Sequence, residues 1–263
     1  MTRVAFLGLG RMGAPMAGRL SAAGQDLIVW SRTTAHAEAL AGNPEVARSP
    51  AEAGSKAELA ITMLTDGGAL EDRGVGFVDA PVAGSVGPAT EGTLAVMVGG
   101  SDEAVGRARP LLEILGDPER TWHVGPVGAG QAAKLMVNLV LGGVTAAVAE
   151  GFTLGRLLGL APDAALDVLE GASVAPQTVR SKRDKLRGGD YSDPGFRLAL
   201  MHKDLRLALD AAQAVRASLP VTERVAELYA GAKGEGLADQ DYAAVAAYLA
   251  SMAPSFEPTP PEG

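Results

Sequence analysis

One short string constrains this chain more than any other. Gly8-Leu9-Gly10-Arg11-Met12-Gly13 stands directly after the apolar run Val4-Ala5-Phe6-Leu7. A continuous apolar run closed by glycine reads as a strand buried on both faces of a parallel sheet. Arg11 to Ala23 then has the length and the small, apolar residues of a helix. In a strand-turn-helix of this kind the first glycine permits the tight turn and the second lets the backbone approach a pyrophosphate. The third lets helix pack against strand, and unpaired amides at the helix start face the phosphates. In this context the string is a dinucleotide-binding signature; the plain alternative is a glycine-rich turn with packing duties only.

The residue after the second strand bears on which dinucleotide. An NAD site of this type places an acid about 20 residues on, to hold the ribose hydroxyls. Here the strand Leu27-Ile28-Val29-Trp30 runs into Ser31-Arg32-Thr33, with no acid at that spot. An arginine flanked by hydroxyls suits a 2′-phosphate, so NADP(H) is expected in preference to NAD(H). A solvated loop arginine is the bland alternative.

Strand and helix signals keep alternating through Leu59–Leu64, Phe77-Val78 and Thr93–Val98. Ser101 is a plausible N-cap with Asp102 and Glu103 in the first turn, and Val105, Ala108, Leu111, Leu112 and Leu115 share one helical face. Such alternation argues for a mostly parallel sheet covered on both sides. Strand signals stop after Trp122-His123-Val124, and Gly125-Pro126-Val127-Gly128 marks a boundary. Gln131–Leu160 reads as one helix about 45 Å long, with more helices around Ala164–Leu169, Leu198–Ala217, Val221–Ala232 and Tyr242–Ser251. The expected domains are 1–127, an α/β domain, and 128–254, a helical one, with a disordered tail over 255–263. The connection Thr65–Val75 is too short for a parallel crossover, which needs a dozen or so residues. Either it is a bare loop or a piece of the fold is absent.

Composition closes off other chemistries. There is no cysteine, which excludes disulfides, zinc-thiolate sites and thiol nucleophiles. Three histidines without ligand spacing argue against a His-based metal site. A net charge of −8 gives no footprint for nucleic acid or an anionic membrane. No secretory signal is expected at Val4–Leu9, and Leu135–Ala149, which holds Asn138, falls short of the ~18 apolar residues of a spanning helix. The expectation is a soluble, cytoplasmic protein with no nucleic-acid or membrane partner.

Lys134 and Asn138 lie four residues apart and so project from one helix face, with Leu135, Met136 and Val137 supplying apolar bulk around them. Desolvation lowers a lysine's pKa and makes it a usable proton donor or acceptor; a packed stem with its head in water fits equally. Asp204, with Leu200 and Leu207 at helical spacing, is expected on an apolar stripe, opposite His202, Arg206, Asp210 and Gln213. An acid there needs a partner or a job, and a helix-packing salt bridge would suffice. Gly151, Gly155 and Gly159 suggest a face open to close approach, a weak pointer to a subunit contact. The run Lys182–Arg187 is most simply a solvated helix face, with attraction of an acidic substrate as the other reading.

Taken together, several of these segments resemble the β-hydroxyacid dehydrogenase family, which includes 3-hydroxyisobutyrate dehydrogenases, tartronate semialdehyde reductases and glyoxylate/succinic semialdehyde reductases. The resemblance rests on Gly8–Gly13 with Pro15-Met16-Ala17, on Trp30-Ser31-Arg32-Thr33 and on Asp79-Ala80-Pro81-Val82-Ala83-Gly84-Ser85. It continues in Gly128–Lys134 with Asn138, and in Phe196 with Lys203-Asp204-Leu205. These segments occur in the family's order.

The resemblance implies a Rossmann-type N-terminal domain and an all-α C-terminal domain joined by a long helix, in a homodimer or homotetramer. It implies Lys134 as the catalytic lysine and Asn138 as the residue that orients substrate. Phe196 and Asp204 would line the substrate site. Gly8, Leu9, Gly10, Arg11, Met12, Gly13, Ser31, Arg32, Thr33, Leu64 and Lys203 would contact the cofactor, the Arg32-Thr33 pair matching the NADP-using branch. The implied activity is NADPH-dependent interconversion of a small β-hydroxyacid with its semialdehyde or 2-oxo acid. Two departures stand out. Ala83 replaces a family serine that helps bind the substrate carboxylate, leaving the Gly84 and Ser85 amides as an anion nest. The short 65–76 connection coincides with a family segment of helix, strand with an Asp-x-Ser/Thr motif, and helix; the intact flanks favour an omitted stretch over a deletion. Alternatives are an imine reductase, which usually lacks this lysine, and a non-catalytic dinucleotide-binding protein.

Overall fold

The computed structural model describes residues 2–40, 42–63, 76–172 and 176–252. Leu64, the connection 65–75 and the tail 255–263 lie outside these residues. The chain divides into two compact units, Met1–Lys134 and Leu135–Gly263.

The first unit begins β1 (Val4–Leu7), α1 (Gly13–Ala22), β2 (Leu27–Trp30), α2 (Thr34–Glu38), β3 (Glu45–Val46), α3 (Pro50–Ser55) and β4 (Leu59–Thr62). These strands pair in parallel in the order β3-β2-β1-β4. The apolar run of β1 is explained by its central place: Val4 and Phe6 enter one core with Leu20, Leu27 and Val29, while Ala5 packs with Ile28, Ala47 and Ala53 on the other face. At the strands' N-terminal end, Arg3 pairs with Asp26 and Glu45, and Lys56 bonds Glu45 and Glu52. The Lys56 and Arg3 bonds hold the Glu45 carboxyl below its ordinary pKa.

The unit continues with β5 (Val78–Asp79), β6 (Val82–Ala83), α4 (Val86–Glu91), β7 (Leu94–Gly100), α5 (Asp102–Leu115) and β8 (Gly116–Gly125). Here the expectation of one mostly parallel sheet is corrected. Among the described residues these strands form a second sheet, in which β5 and β6 run antiparallel to β7 and only β8 is parallel to it. The physical reason is the connection: the six-residue α4 between β6 and β7 is too short for a crossover, so the chain turns back on itself. α5, capped by Ser101 as expected, is long enough to carry β8 round to parallel.

In the second part α6 (Ala129–Leu157) runs 29 residues, about 43 Å at 1.5 Å per residue. It is followed by α7 (Pro162–Gly171), α8 (Pro176–Gly188), α9 (Leu198–Ala214), α10 (Pro220–Ala232), a short 3-10 turn at Tyr242–Ala244 and α11 (Val245–Met252). Contrary to the estimate from Leu135–Ala149, α6 is long and apolar enough to cross a membrane. Glycine and alanine on either side of that run extend its apolar length. Its Ala146, Val148, Ala149 and Phe152 pack in the helical core with Leu166, Met201 and Tyr229.

Two further expectations change. The buried stripe of α9 is Leu198, Met201, Leu205, Ala208 and Ala212, and Leu207 is exposed, so Asp204 borders the stripe rather than lying on it. The glycine face of α6 is filled within this chain: a Cβ at Gly155 would lie 3.3 Å from Leu160 and 3.7 Å from Ala165, and one at Gly151 would lie 3.8 Å from Leu169. The close approach is therefore that of α7 and its leading turn.

Candidate active site

The glycine turn lies at the C-terminal end of β1. Gly8 takes φ +103°, a backbone conformation that side chains resist, and its N–H donates to the Trp30 carbonyl at 2.9 Å. A Cβ at Gly13 would collide with the Gly8 carbonyl oxygen and lie 3.3 Å from the Phe6 ring, so α1 packs directly on the turn. A Cβ at Gly10 would meet nothing within 4 Å; the helix start is open there. Leu9 is buried beneath. α1 has no acid in its first turn and Met12 provides no side-chain cap, so the positive end of its dipole is left for a ligand. These features fit the phosphates of a dinucleotide.

Because Leu7 pairs with Trp30, the turn and Ser31-Arg32-Thr33 emerge from adjacent strands. Arg32 is exposed and has no ion pair among the described residues, and Thr33 is the N-cap position of α2 without a side-chain capping bond. On the other side of β1, Met63 N–H donates to the Leu7 carbonyl at 2.8 Å; the expected contact at Leu64 falls outside the described residues.

Gly84, at φ +142°, and Ser85, the N-cap position of α4, are both exposed. They end the segment that begins with Asp79. That carboxylate is only 6% exposed, and it accepts the N–H groups of Gly128 and Gln131 at 2.8 Å each. It thereby caps the first turn of α6, which carries Lys134. The sequence reading gave Asp79 no role. The available signal was negative: Gly128, with φ +95° and no side chain, cannot cap a 29-residue helix itself.

Lys134 is half-buried on α6, whereas Met136 and Val137, expected to shield it, are 62% and 37% exposed. One turn further along α6, Asn138 is 4% exposed and its Nδ2 donates to Asp204 Oδ2 at 2.7 Å. Gly142 makes that reach possible, since a Cβ there would come within 3.0 Å of Met201 Sδ and 3.2 Å of Leu205 on α9. Lys203 is half-exposed, its Nζ 3.7 Å from Asp204 Oδ1. Burial, then the charges of Lys233 and Arg206, holds His202 below its ordinary pKa. Phe196 packs edge-on against Tyr242, centroids 5.9 Å apart, at the margin of the helical core.

The basic run needs correction. Lys182 is buried, bonds Asp241 at 2.9 Å and lies 4.2 Å from the Tyr242 ring centroid. Asp241 is fully buried and also accepts the N–H groups of Gly195 and Ala243. Arg183 is committed as well, to Asp167 and Glu170. Burial lowers the Lys182 pKa against the raising effect of Asp241, and it pushes Tyr191 and Tyr242 up to about 12.

Residues 3–73 and 67–125 match the NAD binding domain of 6-phosphogluconate dehydrogenase, in two pieces. Residues 128–249 match the family described as NAD-binding of NADP-dependent 3-hydroxyisobutyrate dehydrogenase. A probable 3-hydroxyisobutyrate dehydrogenase of Mycobacterium bovis is 36% identical, over 93% of this chain and 97% of its own. That alignment spans 288 positions, more than this chain's 263 residues, so the relative carries residues with no counterpart here. Glyoxylate/succinic semialdehyde reductase 2, chloroplastic, of Arabidopsis thaliana is 32% identical, over 92% of this chain and 78% of its own. The solved structure of Mycobacterium tuberculosis 3-hydroxyisobutyrate dehydrogenase with L-serine matches at a TM-score of 0.80 and 34% identity, covering 95% of this chain and 99% of that one.

Proposed function

This chain belongs to the β-hydroxyacid dehydrogenase family and is a nicotinamide-dinucleotide-dependent oxidoreductase, and from that premise we propose that it reduces a small carboxylated aldehyde with NADPH, reversibly, using Lys134 as the acid and base. The observation that carries the reading is the α6 face on which half-buried Lys134 and buried Asn138 stand one turn apart. When bound, the dinucleotide supplies the hydride, or accepts it in the oxidative direction.

The chain's own residues do the rest. Gly8 to Gly13 receive the pyrophosphate, and Arg32 with Ser31 and Thr33 receives the 2′-phosphate, which is the basis for preferring NADP(H). Lys203 is a further cofactor contact on the family's pattern. The Gly84 and Ser85 amides take the substrate carboxylate in place of the family serine that Ala83 lacks. Protonated Lys134 donates from Nζ to the carbonyl oxygen as negative charge develops there; in oxidation the same Nζ accepts the hydroxyl proton. Asn138 spends its Nδ2 proton on Asp204, and its amide oxygen remains as an acceptor for the substrate hydroxyl. Much of the rate then comes from orientation. We place the enzyme in the cytoplasm, as a homodimer or homotetramer.

Lys134→Ala tests this. Assayed on glyoxylate, succinic semialdehyde, 3-hydroxyisobutyrate and L-serine, it should lose about 10²–10⁴-fold in turnover with NADPH affinity nearly unchanged. Wild-type turnover in the variant contradicts the reading. Activity of the wild-type protein on cyclic imines alone would favour an imine reductase, and NADPH binding without any turnover a non-catalytic binding protein.

A further inference from the structure

We propose that Asp79 is a positioning residue that sets Lys134 against the Gly84–Ser85 amides; the inference rests on the reading of Lys134 as the proton donor. Four N–H groups at a helix start lack partners within the helix. In α6 the local chain meets one of them, Ala129 N–H donating to the Pro126 carbonyl at 3.0 Å. Gly128 and Gln131 turn instead to one carboxylate 49 and 52 residues away. Two oxygens on two successive donors fix both the tilt of the helix start and its rotation about its own axis.

The surroundings leave that carboxylate no slack. A Cβ at Gly130 would sit 2.6 Å from the Asp79 and Met97 carbonyl oxygens and 2.8 Å from Asp79 Oδ2. A Cβ at Gly99 would collide with Asp79 Oδ1. β5 and β7 therefore press on the first turn of α6 at backbone distance, and only glycine permits it. Lys134 follows Gln131 by three residues, so a shift of the cap moves Lys134 directly.

Asp79 is also tied to the other end of the chemistry. β5 and β6 keep one register along β7, Asp79 opposite Gly99 and Ala83 opposite Ala95, and Gly84 and Ser85 follow at once. One carboxylate thus links the strand that ends at the amide nest to the helix that bears the lysine, all within Met1–Lys134. A carboxylate suits the place because both oxygens accept and its charge meets the positive end of the helix dipole. An asparagine has one acceptor, and its NH2 would face an N–H.

The test is a cycle on the full chain, using NADPH and whichever of the four substrates the wild type turns over fastest. Asp79→Asn should lower kcat about tenfold or more, since a displacement near 1 Å costs up to about 10²-fold, while NADPH affinity stays within about twofold. On a Lys134→Ala background it should add no further loss, which a general weakening of the fold would. Asp79→Glu keeps both acceptors and the charge, so it should fold as the wild type does. Its extra methylene displaces the cap, and kcat should still fall. Wild-type kcat in folded Asp79→Glu overturns the proposal, as does an equal loss from Asp79→Asn with and without Lys134. Full turnover in Lys134→Ala would instead sink the lysine reading itself.

Discussion

In Met1–Lys134 the groups offered to a ligand are backbone amides set by glycine, whereas in Leu135–Gly263 they are side chains held by other side chains. Gly8, Gly10 and Gly13 shape the opening at α1 with no side-chain partner at all. Asn138 depends on Asp204, 66 residues on, and the Phe196 segment depends on Asp241, whose fully buried carboxylate bonds Lys182, Gly195 and Ala243. A backbone site tolerates exchange of the residues around it as long as the glycines stay. A side-chain site fails when either partner is lost, because the survivor is left buried without compensation.

The largest effect expected from this contrast is at Asp241. Asp241→Ala should destabilise the helical unit by about 3–5 kcal/mol, since it strands a buried Lys182. All four tyrosines lie in this unit, at 191, 229, 242 and 248, so urea unfolding followed by tyrosine near-ultraviolet dichroism reads it directly. A loss below about 1 kcal/mol, the range of a surface pair, would break the comparison.

Next comes Arg32, exposed and unpaired among the described residues. Arg32→Ala should cost NADPH about 1.5–3 kcal/mol of affinity, the range for a bond to a charged group, and leave NADH affinity and stability where they were. An equal loss for both dinucleotides would show that Arg32 does not read the 2′-phosphate.

The smallest expected effect is in alkali. Tyr191 and Tyr242 sit at about 12 through burial and the nearby Asp241 charge, against an ordinary value of 10. Their raised values mean that stability is complete below pH 10 and is lost as pH rises from 10 through 12, because the unfolded chain ionises first. Tyrosinate absorbance at 295 nm should appear together with loss of helix in that window. Tyrosinate formed with helical structure intact at pH 10.5 would sharpen the comparison against these buried rings.

The same contrast explains what was legible in the sequence. Glycine spacing after an apolar run is local, and it gave the turn, its strand and its helix within two residues. The missing acid after Trp30 is local too. Lys182 looked solvated because its neighbours Arg183, Asp184 and Lys185 are charged, while its partner lies 59 residues away in an apolar-looking segment. Asp79 was visible as a motif member but its work was not, since both donors come from a helix start 49 residues on. The second sheet was misread for a related reason: an apolar run announces a strand, yet direction follows from the length of the connection, and α4 is short. The stripe of α9 was displaced because Leu207 is apolar and exposed, which one-dimensional spacing does not reveal.

The most direct test of the account is a fluorescence titration of the purified protein with NADPH and, in parallel, NADH, read at Trp30, whose carbonyl holds the glycine turn. The account predicts saturable NADPH binding with NADH weaker by at least about tenfold, a difference of about 1.4 kcal/mol. Absence of binding to either dinucleotide, or a preference for NADH, would contradict it.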